Sequence, residues 1–511
     1  LANRIIARLK AFPAAPAWFT RWWGDLNTHQ WLAPSFTGLA IVYMLVDIRP
    51  NWWPGGVRPD WWLVEPVVPF NFISVLGVMG LVGMAIHLYT TCLRLHEPVV
   101  SKDPRRIYLI ALVSMATFGI FWLLESLHAS PYLMPLPAAA LLLKVFVNPL
   151  VAIVTTAVIA VLGGVAHGSS GLGPVIVGMG ASLAAVFAVP RIRQRADLAR
   201  AGLVAGLFGA ALTSVIGMIS GGHPMLWGPH ALSAIAGGVG SAILAVGILP
   251  YLEGLFGITT TFKLMELANP SQPLLRYLLM KAPGTYHHSI LVGNLGEAAA
   301  EAVGADPLLV RVGAYYHDIG KTKRPYFFIE NQMGMENAHD KISPHLSALV
   351  IQAHVKEGLE IAKEYSLPPD VTRFVSTHHG KSCIAYFYHQ ACEVDGPEHV
   401  EEDHFKYPGP RPNTKEEAIV MLADACEATV RTLKNPTPEQ IEQTIRRLIN
   451  KRLNDGELAE APLTLAEIEI IAQTFLKIVQ GLYHQRIEYP DQLMKDLKRE
   501  PKEKKLGSLP G

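Results

Sequence analysis

Seven side chains between Tyr286 and Asp424 have the makings of a metal site: His288, His317, Asp318, His354, the adjacent pair His378 and His379, and Asp424. Most of them fall in the separate segments YHHS, HDIGK, STHHG and MLADACEA, so several helices must gather them. Imidazole nitrogen and carboxylate oxygen suit borderline divalent ions such as iron, manganese, zinc, nickel or cobalt, whereas a closed structural zinc site ordinarily uses thiolates. No Cys-x-x-Cys pair is present. Seven donors are more than one ion readily uses. A second ion would employ them all, with Asp318 as the natural bridge because a carboxylate has two oxygens to share. Two ions clamp the attacking and leaving oxygens of a phosphoryl displacement, the chemistry of phosphodiester hydrolysis. Lys321, three residues after Asp318, would add a cation where a phosphate needs neutralising, so Asp318 and Lys321 are the catalytic candidates. Singly, a helical histidine is most often a core residue, and one His-Asp dipeptide is near chance; the joint pattern carries the reading. His287, His339, His345 and His389 stand outside it as supporting or surface residues.

The elements that position these residues follow from composition. The chain has 511 residues, 50% hydrophobic and 17% charged, and the long apolar runs lie before residue 256 while the charges concentrate after it. A membrane half followed by a soluble half is expected. The net charge of +1 gives no support for a nucleic-acid-binding surface. Four cysteines without framework spacing fit a reducing environment. A basic, aromatic flank (1–30) precedes apolar runs near 31–48, 69–93, 106–127, 132–147, 149–165, 171–190, 200–219 and 229–253, about eight spans in a transmembrane domain of residues 31–253. Asn148-Pro149 could instead kink one long helix, which would make seven. With a cytoplasmic tail, eight spans place Arg94, Lys102, Arg105, Arg191, Arg193 and Arg195 inside and leave only Arg49 and Arg58 outside, as the positive-inside rule demands. Glu125, Lys144 and Glu253 lie near enough to span ends to snorkel, and the glycines of GLVAGLFGA and AIAGGVGSA read as helix packing.

A helical coupler is expected over 254–284 and an all-helical catalytic domain over 285–490, with a polar tail at 491–511. Apolar residues at three- and four-residue spacing predict helices near 286–303, 307–318, 343–364, 369–378, 415–434, 437–452 and 464–485. His317-Asp318 would end a helix and Gly320 would make the turn. The stretches 322–342 and 380–413 are long for loops and should shape substrate binding, their Tyr and Phe residues stacking on nucleobases.

GTYHHS, YYHDIGKTKRPYFFIENQ, NAHDKISPHLSALVIQAHV, STHHG, FKYPGPRPNTKEEAIVMLADACEATVR and GLYHQRIEYP, with YLMPLPAAALLLKVFVNP in the membrane half, resemble the seven-transmembrane HD family over residues 69–490. These are membrane-bound cyclic-di-AMP phosphodiesterases of bacteria. The resemblance implies an all-α fold, a polytopic helical bundle followed by a cytoplasmic HD domain at the bacterial inner membrane. It implies that His288, His317, Asp318 and Asp424 hold one divalent ion and Asp318, His354, His378 and His379 the other, with iron or manganese leading. It implies opening of cyclic-di-AMP to linear pApA, with a cyclic dinucleotide and the bilayer as partners, no nucleic-acid polymer, and homo-oligomerisation compatible. Members carry an anchor and a large extracellular domain before seven core spans. Here the first span and a short loop stand in that position, so the usual input is expected to be absent or replaced. The rival readings are an HD hydrolase of cyclic-di-GMP or ppGpp, and a receptor that binds nucleotide without cleaving it. Against the first, His379 is followed by GKSCIAYFYH where cyclic-di-GMP enzymes carry a Gly-Tyr-Pro signature; against the second, all seven ligand positions are filled.

Overall fold

A computed structural model describes residues 72–482 apart from 128, 167–171, 191, 193, 222, 333–335 and 434–435, together with 33–35, 37–38 and 41–42. The flank 1–30, most of the first expected span, the loop 49–68 and the tail 491–511 lie outside the described residues. The chain divides into two compact units, Leu1–Leu267 and Ala268–Gly511, the division falling inside the segment 254–284.

The first unit contains α1 (Phe72–His96), α2 (Pro98–Lys102), α3 (Pro104–Ser126), α4 (Leu136–Phe146), α5 (Pro149–Ala166), α6 (Leu172–Ala188), α7 (Arg195–Ile219), α8 (Pro224–Phe256) and α9 (Thr261–Leu267). Stretches of α1, α3, α7 and α8 are long and apolar enough to cross a membrane, and α4, α5 and α6 are shorter apolar helices. Asn148-Pro149 separates α4 from α5 instead of kinking one helix. Asn148 Oδ1 accepts from the Val151 amide at 2.8 Å, and proline at the first helical position sacrifices no hydrogen bond. Glycines bring α7 and α8 together: a Cβ on Gly238 would lie 2.4 Å from Gly206 N, so nothing larger fits that crossing. Lys144 finds its partners on a neighbouring helix end. Its Nζ turns to the C-terminal end of α6 and donates to Val186 O at 2.6 Å and to Val189 O, carbonyls that no longer have intrahelical partners. Glu253 is engaged by the Thr260 hydroxyl, while the side chain of Glu125 lies outside the described residues.

The second unit contains α10 (Pro273–Lys281), α11 (Pro283–Ala302), α12 (Pro307–Tyr316), α13 (Pro344–Glu364), α14 (Pro369–Thr377), α15 (Ala385–Asp395), α16 (Lys415–Val430), α17 (Pro438–Asn454) and α18 (Leu465–Leu482). Among the described residues there is no strand, only an isolated bridge between Cys383 and Lys406. Proline starts α10 to α14 and α17, where its missing N–H costs nothing. The centre is α16, whose residues Ala418 to Ala423 are all fully buried. A helix apolar on every side belongs in a core. Leu295 of α11, Val310 of α12, Phe374 of α14, Ile445 of α17 and Phe475 of α18 belong to the cluster around it.

Both expected loops carry structure. The first contains short 3-10 turns, at Ile319–Lys323, Pro325–Phe327, Ile329–Asn331 and Ala338–Lys341. The stretch 380–413 contains α15, which buries only Phe387 and Ala391, four residues apart, in a small cluster with Ala348 of α13 and Phe405. Two buried positions in one short helix leave no periodic signal to read.

Candidate metal centre

Five segments deliver the seven expected ligands to one place. His288 comes from α11, His317 and Asp318 from the end of α12, His354 from α13, His378 and His379 from the end of α14, and Asp424 from α16. Close backbone approach makes this possible. Gly320 makes the turn at close quarters: it lies in a 3-10 turn against α13, where a Cβ would stand 1.8 Å from His354 O and 2.6 Å from Gly358 N. Only glycine lets the Asp318 turn lie against the helix that carries His354. On the other side Asn331 Oδ1 accepts from the amides of Gly284 and Thr285, at 2.9 and 3.2 Å, and so caps the helix that presents His288.

Asp318 sits at the centre, with its two oxygens facing different halves. Oδ2 lies 3.1 Å from His317 Nε2 and 3.7 Å from His288 Nε2, while Oδ1 lies 3.4 Å from His354 Nε2 and 3.5 Å from His378 Nε2. Donor atoms within 4.8 Å of one another form two groups that could hold a cation, Asp318 with His354, His378 and His379, and His288 with His317 and Asp424. The outer nitrogens are held in place. Nδ1 of His317 bonds Ala314 O at 2.7 Å, Nδ1 of His354 bonds Ile351 O at 2.5 Å, and Nδ1 of His378 bonds Phe374 O at 3.0 Å, which leaves Nε2 to point inward. Such outer bonds fix the tautomer of a ligating imidazole. For His288 the outer partner is Glu427 Oε2 at 2.5 Å.

The charge states match a cation site. Burial pushes His354 down to about 3, and burial with the neighbouring His378 holds His379 well below its usual range, so both rings are neutral donors. Burial works against ionising Asp318, yet His317 and Lys321 keep its carboxyl well below the ordinary value. Burial also opposes charging His288, but its bonds to Asp424 and Glu427 raise it to about 9. A cation among these donors would take the place of the inward proton, since ligands bind metal deprotonated. His317 Nε2 and Asp318 Oδ1 are buried without a hydrogen-bond partner among the described residues. Orphaned polar atoms at the focus of a ligand cluster are costly unless a further group satisfies them, and divalent metal fits.

Lys321 is more constrained than its sequence position implies: Nζ lies 2.7 Å from Asp318 Oδ2 and 2.9 Å from Glu330 Oε1. The cluster opens on a cleft of about 1930 Å³. Phe327, Phe328, Tyr386, Phe387, Tyr388 and Tyr407 line it, and the Tyr407 ring stacks on His379 with centroids 4.1 Å apart. His339 and His389, set aside in the sequence, also line this cleft, but they belong to neither ligand group. Glu427 and Glu330 went unread, and Tyr407 was covered only by the general expectation for the aromatic residues of 380–413. Glu427 could have been found, because it follows Asp424 by three residues and therefore shares its helix face.

Residues 72–260 match the family model described as 7TM receptor with intracellular HD hydrolase, and residues 285–429 match that of the HD domain. The chain belongs to the seven-transmembrane HD family. It is a membrane protein with a metal-binding type of hydrolase domain. It is 39% identical over 389 residues to the cyclic-di-AMP phosphodiesterase PgpH of Bacillus subtilis (strain 168), a match covering 75% of this chain and 54% of that protein. It is likewise 39% identical over 391 residues to the cyclic-di-AMP phosphodiesterase PgpH of Listeria monocytogenes, with the same coverage. The chain thus spans about half the length of these family members. A crystal structure of the L. monocytogenes PgpH HD domain in complex with cyclic-di-AMP is 46% identical and covers 42% of this chain and 100% of that one, with a TM-score of 0.41.

Proposed function

We propose that this protein is a phosphodiesterase that opens cyclic-di-AMP to linear pApA on the cytoplasmic side of a bacterial inner membrane, using two divalent ions, iron or manganese. The observation that carries the reading is the sharing of Asp318: one carboxylate faces two groups of imidazoles through separate oxygens. The family members named for cyclic-di-AMP supply the substrate. In this reading His288, His317 and Asp424 with one oxygen of Asp318 hold one ion, and His354, His378 and His379 with the other oxygen hold the second. Ions held there would supply Lewis acidity toward a phosphodiester. The remaining work falls to the protein. Lys321, tethered by Glu330, keeps positive charge beside Asp318 where phosphate charge develops. The aromatic residues of the cleft offer faces on which adenine bases stack. A cyclic dinucleotide and the bilayer are the partners required; no nucleic-acid polymer is.

The test uses the full chain in detergent, loaded with manganese or iron and given cyclic-di-AMP or cyclic-di-GMP, with products separated by chromatography. Accumulation of pApA and preference for the adenine substrate are expected. Absence of turnover, or preference for cyclic-di-GMP, overturns the reading.

A further inference from the structure

One wall of the cleft carries cations and none of the seven ligands. In α17, Ile441, Ile445 and Ile449 recur every four residues and are buried, while Arg447, Lys451 and Arg452 border the cleft. Most other charges around the opening are already balanced. Lys321 lies against Asp318 and Glu330, Lys406 lies 2.8 Å from Asp403, and Arg411 lies 3.9 Å from the buried Glu457. Their neighbour Arg446 makes a two-pronged pair with Glu469 of α18, at 2.8 and 2.9 Å. Arg447, Lys451 and Arg452 have no carboxylate within ion-pair distance among the described residues. Three unbalanced cations on one helix repel one another, and only Lys451 and Arg452, in its last turn, gain anything from the helix dipole. An anion in the cleft would balance them.

The chemistry of a cyclic dinucleotide states which anion. Its two phosphodiesters each carry a negative charge, and only one at a time can lie over the ligand cluster. The other needs compensation as it leaves water, and arginine presents a planar fork of donors suited to phosphate oxygens. We propose that Arg447, Lys451 and Arg452 form a second phosphate subsite that holds the diester not being cleaved. The site thereby selects ligands with two separated phosphates over single diesters. This inference rests on the phosphodiesterase reading given above. It makes α17, an element with none of the ligands, a determinant of substrate choice.

The test compares two substrates on the full chain in detergent: cyclic-di-AMP, with two phosphates, and bis(p-nitrophenyl) phosphate, with one. In an Arg447→Gln/Lys451→Gln double variant, glutamine keeps helix propensity and removes charge. The ratio of kcat/KM for cyclic-di-AMP to that for the aryl ester should fall on the order of tenfold or more, through KM, as loss of charge-assisted hydrogen bonds implies. Arg446→Gln, which removes a cation from the same helix outside the cleft, should leave that ratio as in the wild type. The aryl ester also reports folding, because a misfolded variant loses both activities. Equal loss on both substrates in a variant that melts as the wild type does, or no loss on either, overturns the subsite; if the double variant melts early, Arg447→Gln alone is held to the same criterion. If the wild type cleaves the aryl ester but no cyclic dinucleotide, the enzymatic reading has failed. The subsite is then judged by calorimetric binding of cyclic-di-AMP, which must weaken about tenfold in the double variant or the subsite fails as well.

Discussion

Asp318 and Glu427 make different contributions to the ligand cluster, and substitution separates them. Asp318 presents an oxygen to each group of imidazoles, so its loss removes a donor from both and leaves the buried Lys321 with Glu330 as its remaining carboxylate partner. Asp318→Ala should lower metal content in both positions at once and abolish pApA formation. Elemental analysis showing near-native occupancy of both would contradict the shared carboxylate. Of the ligands, Glu427 touches only the outer nitrogen of His288, its other oxygen lying 3.8 Å from Arg431 Nε. Glu427→Gln keeps a hydrogen-bond acceptor but removes the charge that makes the imidazole a strong donor. Metal affinity should drop about 10–100-fold, as for other outer partners of ligating histidines, in one of the two equivalents only. A chelator-competition titration resolves this; equal weakening of both equivalents would remove Glu427 from its assigned place. The contrast also marks what the sequence could reveal. Histidines and aspartates declare themselves by type, whereas the outer partner of a ligand is ordinary in composition and becomes visible only when two helices are brought together.

At the scale of elements, the cluster depends on how closely the turn after α12 can lie against α13. Gly320→Ala would thrust a methyl group into the His354 carbonyl, a backbone atom that cannot rotate away. Overpacking of this kind costs about 1–3 kcal/mol. The variant should melt several degrees lower in detergent and bind less metal, because Asp318 and His354 move apart together. Wild-type melting and metal content would show that turn and helix can part freely. Most helices were legible because burial repeats every three or four residues along them, as in Ile441, Ile445 and Ile449 of α17. Helix α15 was illegible for the converse reason, since only Phe387 and Ala391 are buried while its first five residues border the cleft. Gly320 was legible as the turn residue but its purpose was not, because a glycine after a helix has two uses, positive φ and close approach, and only the neighbour across the gap decides between them.

For the molecule as a whole, the contacts within the first unit sort its helix ends into two sets, and charge distinguishes them. At one end, Arg105 in the first turn of α3 has Nη1 3.3 Å from Gly257 O, where α8 ends. Lys144 near the end of α4 reaches the last carbonyls of α6, and Arg195 at the start of α7 pairs with Glu266 of α9 at 3.1 Å. At the other end, Ser130, between α3 and α4, lies 3.1 Å from His230 in the first turns of α8, and no Lys or Arg lies between α7 and α8. The cationic end is therefore the one from which the chain passes on toward the ligand cluster. Cytoplasmic ends of membrane helices carry the excess of Lys and Arg. The prediction is that this end, and the catalytic unit that follows α8, face the cytoplasm. In a background with Cys92, Cys383, Cys392 and Cys426 replaced, Ser220→Cys should be modified by an impermeant thiol reagent added to intact cells. Lys102→Cys should react only after the membrane is opened. The reverse pattern would place the ligand cluster outside the cell, away from any intracellular dinucleotide, and would defeat the topology and the substrate together.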